Sequence, residues 1–177
     1  MTGLRLKSNW CKEFRWVLEQ NRSLKEVRLS KTCVKNKGIV YLAAGLFQNR
    51  TLESLYLDGN WFNGVGVEHL LCPVSRFSAL QLQANITLRT LIFGGGRTNI
   101  GRVGLSAIIQ MLTTNESLTK FGIHDDENLT PADFVKIFRS LEKNASMRCL
   151  SLQGCQGVKG EQVLAAITEM MNVNPWI

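Results

Sequence analysis

The sequence predicts an α/β solenoid, with a curved parallel sheet on the concave face and helices on the convex face. Three observations carry this prediction: a segment recurs along the chain, every copy contains a short strand pattern, and helical spacing follows the strand pattern. NRSLKEVRL from Asn21, NRTLESLYL from Asn49, NITLRTLIF from Asn85, NESLTKFGI from Asn115 and NASMRCLSL from Asn144 align without gaps. Their starts lie 28, 36, 30 and 29 residues apart, and MTGLRL at the N-terminus supplies an earlier copy of the last six positions. The copies divide the chain into 1–20, 21–48, 49–84, 85–114, 115–143 and 144–171, with a partial copy at 172–177. At 177 residues the chain is long enough for one domain with a sizeable core and too short for two ordinary ones.

The strands come first in each copy. Counting from its first apolar residue, position one holds Met1, Leu24, Leu52, Leu88, Leu118 and Met147. Position four holds Leu4, Val27, Leu55, Leu91, Phe121 and Leu150, and position six holds Leu6, Leu29, Leu57, Phe93, Ile123 and Leu152. Positions four and six share one face of a strand, and one such strand cannot close a core alone. Helical spacing follows at Ile39, Leu42 and Leu46, then at Val67, Leu70 and Leu71, and at Leu105, Ile108 and Leu112. It returns at Phe134, Phe138 and Leu141, and at Val163, Ala166 and Ile167. Thr130-Pro131-Ala132-Asp133 reads as a helix start, with a threonine cap, proline at the first helical position and a carboxylate in the first turn. Between Leu71 and Asn85 about eight extra residues, with Pro73 among them, predict a longer and bent helix.

These copies resemble leucine-rich repeats, and their length with a full helix resembles the ribonuclease-inhibitor-like subfamily. The resemblance covers essentially the whole chain. Such repeats carry Asn or Cys three residues after the last strand leucine; Asn9, Asn60 and Cys155 match, whereas Thr32, Gly96 and Asp126 depart. The third and fourth copies are longer there, so their turns, GGGRTN and HDDEN, are expected to bulge from the ladder. The wording of the repeats and the NPWI ending are similar to plant Roco proteins of the TORNADO type, whose repeats precede a GTPase module. No part of that module is present here. Repeat domains of innate-immune nucleotide-binding receptors are the next resemblance. The run from Asn172, NVNPWI, starts a further copy and stops short of its second strand leucine, so the chain is expected to be a piece of a longer protein, with self-association through the unfinished repeat.

Composition narrows the function. With 45% hydrophobic and 20% charged residues and 3 prolines, wholesale disorder and collagen-like structure are excluded. No run approaches a membrane span, and MTGLRLKSNW lacks the apolar centre of a secretory signal. The 5 cysteines are odd in number and contain no CxxC pair, which fits a reducing, cytoplasmic compartment. Six Asn-x-Ser/Thr sequons begin at Asn21, Asn49, Asn85, Asn115, Asn128 and Asn144. Five of them occupy one position of the repeat, which gives them a structural reason to exist.

Signs of chemistry are weak, and no catalytic residue, cofactor or metal is assigned. Gly96 to Gly101 has the spacing of a phosphate loop, but Arg102 and Val103 stand where Lys and Ser/Thr are needed, so an enlarged turn explains the glycines better. His124 to Asn128 gathers carboxylates beside an imidazole, yet consecutive residues cannot all face one ion, and a solvated turn is expected. His69 lies beside Leu70 and Leu71 as a boundary histidine. Ser151 and Cys149 are expected one strand from His124, with no oxyanion hole or closed pocket to make an enzyme of them.

What remains is surface. Position five points to the concave side and reads Arg5, Arg28, Tyr56, Ile92, Gly122 and Ser151. Residues 1–50 hold eleven Lys and Arg against three Glu, whereas residues 51–177 hold ten against eleven acidic residues. The basic excess therefore sits at one end. Arg5, Lys7, Arg28, Lys31, Tyr56, Ile92 and Trp61 are the candidate partner contacts. Trp10 and Trp61 both follow a repeat asparagine and are expected at the rim or packed at its edge. The leading expectation is a non-enzymatic interaction module for an acidic protein or for another part of its own chain. Binding of nucleic acid or another polyanion is the alternative, against which stands the lack of an aromatic stacking series.

Overall fold

Leucines at positions four and six can be buried only if successive strands lie side by side, and that packing generates the fold. The computed structural model describes residues 8–71 and 85–177. It begins with α1 (Ser8–Gln20) and continues with β1 (Glu26–Arg28), α2 (Asn36–Gln48), β2 (Ser54–Asp58), α3 (Gly64–Leu71) and β3 (Thr90–Gly94). Then come α4 (Gly101–Thr114), β4 (Lys120–His124), α5 (Pro131–Leu141), β5 (Cys149–Ser151) and α6 (Glu161–Val173). The strands pair in parallel and in chain order, β1 to β5. Arg5 and Lys7, and the Pro73 insertion with its expected bent helix, lie outside the described residues.

The register is that of the repeat. Val27, Leu55, Leu91, Phe121 and Leu150 face one another across the sheet, and so do Arg28, Tyr56, Ile92, Gly122 and Ser151. Leu55, Leu57, Leu91, Phe93, Phe121 and Ile123 are buried, and they meet Ile39, Leu42, Leu46, Ile108, Leu112, Phe134 and Leu141 from the helices in one core. Edge-to-face rings run through it: Phe62 and Phe93 have centroids 6.0 Å apart, Phe93 and Phe121 5.5 Å. The expected cap of α5 is present, because the Thr130 side chain accepts from the Asp133 N–H and the Thr130 N–H donates to the Asp133 carboxylate.

The repeat asparagines explain the sequons. Asn49, Asn85, Asn115 and Asn144 are buried. Each Oδ1 accepts the N–H groups two and three residues on; for Asn85 these are Thr87 at 3.0 Å and Leu88 at 2.8 Å. The Nδ2 groups of Asn49, Asn85 and Asn144 donate to carbonyls of the preceding repeat, Asn144 to Leu112 and Asn115. Such amides are spent on the backbone and hold the turn from helix to strand. The division of the copies needs one correction. Asn172 is exposed near the end of α6, and Asn174 takes the ladder position, buried and bonded to the carbonyls of Leu141 and Asn144.

The N-terminal copy needs another correction. Asn9 and Trp10 do not form a turn: both belong to α1, where Asn9 is exposed and Trp10 stacks on Phe14 at 4.6 Å. Cys11 and Leu18 from the same helix enter the core. The helical spacing of Cys11, Phe14 and Leu18 was the signal for this element.

Candidate partner-binding face and turns

Each strand hands over to a turn at the same edge of the sheet, so concave strands and turns form one continuous surface. Arg28 is exposed on β1, with its guanidinium 4.1 Å from the Tyr56 ring centroid and its Nε 2.6 Å from Glu26. The hydrogen bond to Glu26 raises the pKa of the guanidinium above its usual value. Arg28 is thus a partnered cation, held against an aromatic ring. Lys31 is exposed in the first turn at φ 58°, and its stem runs over Gly59. Ile92 is only 4% exposed, which corrects its expected place among the contact residues: in this row Arg28 and the half-buried Tyr56 reach solvent and Ile92 is buried.

Trp61 is the half-buried centre of the second turn. Lys35 Nζ lies 5.8 Å from its ring centroid and Arg97 Cζ 4.8 Å. No sequence signal joins these two to Trp61, because the contacts cross three repeats. The glycine-rich turn is enlarged, with Gly94, Gly95 and Gly96 all at positive φ, at 122°, 62° and 64°, but it stays hydrogen-bonded to the second turn instead of bulging from the ladder as expected.

A polar line crosses the sheet beside this patch. Ser30 donates to Asp58 at 3.1 Å, the Asp58 carboxylate lies 3.0 Å from His124 Nδ1, and His124 Nε2 lies 2.9 Å from Ser151 Oγ. Ser151 is indeed beside His124, and Asp58 supplies an orienting carboxylate that sequence reading did not find. Gly94 lies between Asp58 and His124 in the register, and a β-carbon there would strike the His124 backbone. Nucleophile, base and carboxylate are therefore aligned on the open face of a sheet whose N–H groups serve the ladder.

The HDDEN turn is solvated as expected at Asp125, Glu127 and Asn128, but Asp126 departs from that expectation. Asp126 is buried, and its Oδ1 accepts from the Asn128 and Leu129 N–H groups at 2.9 and 2.7 Å. It takes the place of the family's turn asparagine and closes the loop from within. Asn60 plays the family part in full, accepting from the Val34 N–H and donating to the carbonyls of Leu29 and Leu57. Cys155 does so in part, with its thiol donating to the Ile123 carbonyl. Burial raises the thiol pKa of Cys11 and Cys155 and keeps them protonated. Among the described residues no group of three or more His, Cys, Asp or Glu is placed to hold a metal. None of their helices is long and apolar enough to cross a membrane.

The repeat register, the asparagine ladder and the alternation of parallel strands with helices define a leucine-rich repeat protein, and a leucine-rich repeat family model matches residues 20–43 and 48–71. Within that class the chain is of the TORNADO type: it is 64% identical over all 177 residues to Protein TORNADO 1 of Arabidopsis thaliana. It spans 13% of the length of that relative. Solved structures of the same fold include leiomodin-1 actin-binding site 2, with a TM-score of 0.64, 24% identity, and 81% of this chain and 79% of that one covered. The tropomodulin C-terminal domain of Caenorhabditis elegans has a TM-score of 0.63, 14% identity, and coverage of 96% and 94%. Repeats of this fold characteristically serve as non-enzymatic interaction surfaces.

Proposed function

We propose that the chain is a protein-interaction module of the ribonuclease-inhibitor-like type, in a larger cytoplasmic signalling protein of the Roco kind. Its N-terminal repeats bind an acidic surface of another protein or of another part of its own chain. The observation that carries this reading is the placement of Arg28, Lys31, Tyr56 and Trp61 on the open face and turns of neighbouring repeats, where cations held against aromatic rings meet solvent. Arg5 and Lys7, which lie outside the described residues, are part of the same proposed patch by their repeat positions. Self-association through the far end is a further part of this reading, supported by Leu164 and Trp176, 65% and 69% exposed.

The test is affinity capture at about 0.15 M salt, near the Debye length of ~8 Å. A partner held by the wild type should be lost when Arg28 and Lys31 are both changed to Glu and kept when the exposed Lys143 is changed to Glu. Equal effects of the two changes would return the patch to an ordinary solvated surface. The second reading, a polyanion, draws on the net charge of +7. Retention on heparin through moderate salt, without a discrete protein partner, would favour it.

A further inference from the structure

The third turn carries a feature beyond the concave face. Gly59 and Gly96 approach so closely that a β-carbon on Gly96 would stand 2.6 Å from the Gly59 carbonyl carbon. Their bare backbones fold the enlarged third turn back onto the second, where the Arg97 N–H donates to the Asn60 carbonyl at 3.0 Å. The Arg97 guanidinium then stacks on Trp61, and Lys35 reaches the same ring from the first turn. Three successive turns deliver one indole and two exposed cations to one place. Arg15, Lys25 and Lys136 each have a carboxylate within 3.2 Å, whereas Lys35, Arg97 and the adjoining Lys31 have no ion pair among the described residues.

We propose that Lys35, Trp61 and Arg97 form a receptor on the turn edge for a short acidic peptide segment. The proposal rests on the reading of the N-terminal repeats as a protein-binding surface and names the partner's chemistry. The indole orders both cations before binding without engaging them in an ion pair, which lowers the ordering cost of capturing carboxylates. Arg97 offers the planar fork that pairs with a carboxylate through two bonds. Turns about 4.8 Å apart span roughly 10 Å over three repeats, the reach of three or four extended residues. Asp125, Glu127 and Arg97 line the depression between the third and fourth turns. Those two carboxylates repel an anion there and direct the peptide from Arg97 toward Lys35 and Lys31. A single indole serves this better than it serves a nucleic acid, which needs a series of stacking rings.

The experiment titrates the chain with an eight-residue glutamate-rich peptide at about 0.15 M salt and follows tryptophan fluorescence. A saturable change that disappears in Trp61→Phe is expected. Lys35→Gln with Arg97→Gln should weaken binding about tenfold, Arg139→Gln with Lys143→Gln less than about twofold, and Asp125→Asn with Glu127→Gln should strengthen it. Circular dichroism melts confirm that each variant is folded. Equal losses from the two cation pairs, no saturation, or tighter binding of an oligothymidylate of equal charge would overturn the receptor. Loss confined to Arg28→Gln with Lys31→Gln would overturn it while leaving the concave-face reading intact. No loss from any of these substitutions would remove both.

Discussion

The two edges of the solenoid obey different rules. Where helices return to strands, Asn49, Asn85, Asn115, Asn144 and Asn174 sit buried at one position, and every one whose amide donates does so to carbonyls of the preceding repeat. Where strands leave for helices, the matching positions hold Thr32, Asn60, Gly96, Asp126 and Cys155, and the turns differ in length. A uniform edge reflects a common structural duty, because every repeat must satisfy the same backbone groups in the same way. The uneven edge satisfies them by several devices, and its side chains are free to differ. Cations and indole gather there in the first three turns, carboxylates in the fourth.

The comparison breaks first in the shared core. Leu55→Ala and Leu91→Ala should each cost about 2 to 5 kcal/mol in chemical denaturation, because both side chains are buried between strands and helices. Ser54→Ala, on the half-buried opposite face of β2, should cost less than about 0.5 kcal/mol. Similar losses at Ser54 and Leu55 would contradict the alternation of the strands.

Next comes the uniform edge. Asn144→Ala removes an acceptor from the Ser146 and Met147 N–H groups and a donor from the Leu112 and Asn115 carbonyls, for a loss of about 2 to 3 kcal/mol. On the uneven edge, Arg97→Ala should change stability by less than about 0.5 kcal/mol, since the exposed Arg97 side chain lies over the half-buried Trp61 ring at the surface. Equal costs at Asn144 and Arg97 would erase the distinction between the edges.

A smaller effect has a pH signature. Desolvation pushes the Asp133 carboxyl upward, but the hydrogen bonds from the Thr130 side chain and backbone and from Lys136 outweigh it and hold the pKa below the usual value. A group depressed in the folded state stabilises it fully above the unfolded pKa, near 3.9, and loses that contribution as pH falls through the folded value. Asp133→Asn should therefore cost about 1 kcal/mol at pH 7 and progressively less as the solution is acidified below pH 4. A cost independent of pH would contradict the charged cap.

The strand rows, the helix faces and the α5 cap were legible in the sequence because each depends on spacing within one copy. The position-five row, Arg28 to Ser151, follows from the same spacing once the copies are in register. Contacts made between turns were not legible. Arg97 reaches Trp61 where Gly59 and Gly96 let two backbones touch, and Asp58 meets His124 across the intervening β3, at a register position held by Gly94. Such meetings depend on turn shape, which no apolar period encodes. Asp126 was misread for a related reason: among the neighbouring acids of a polar run, nothing local marks the one that turns inward to bind backbone. The last asparagine was displaced from Asn174 to Asn172 because NVNPWI offers two candidates, and only the carbonyls of the preceding repeat choose between them.

The central claim is that the uneven edge recognises and the uniform edge holds. Nuclear magnetic resonance of the chain, titrated with the acidic peptide, tests it most directly. The account predicts shift changes at Lys31, Lys35, the Trp61 indole and Arg97, with Asn85, Asn115, Asn144 and Lys143 unmoved. Shifts spread equally over both edges, or centred on the asparagine ladder, would contradict it.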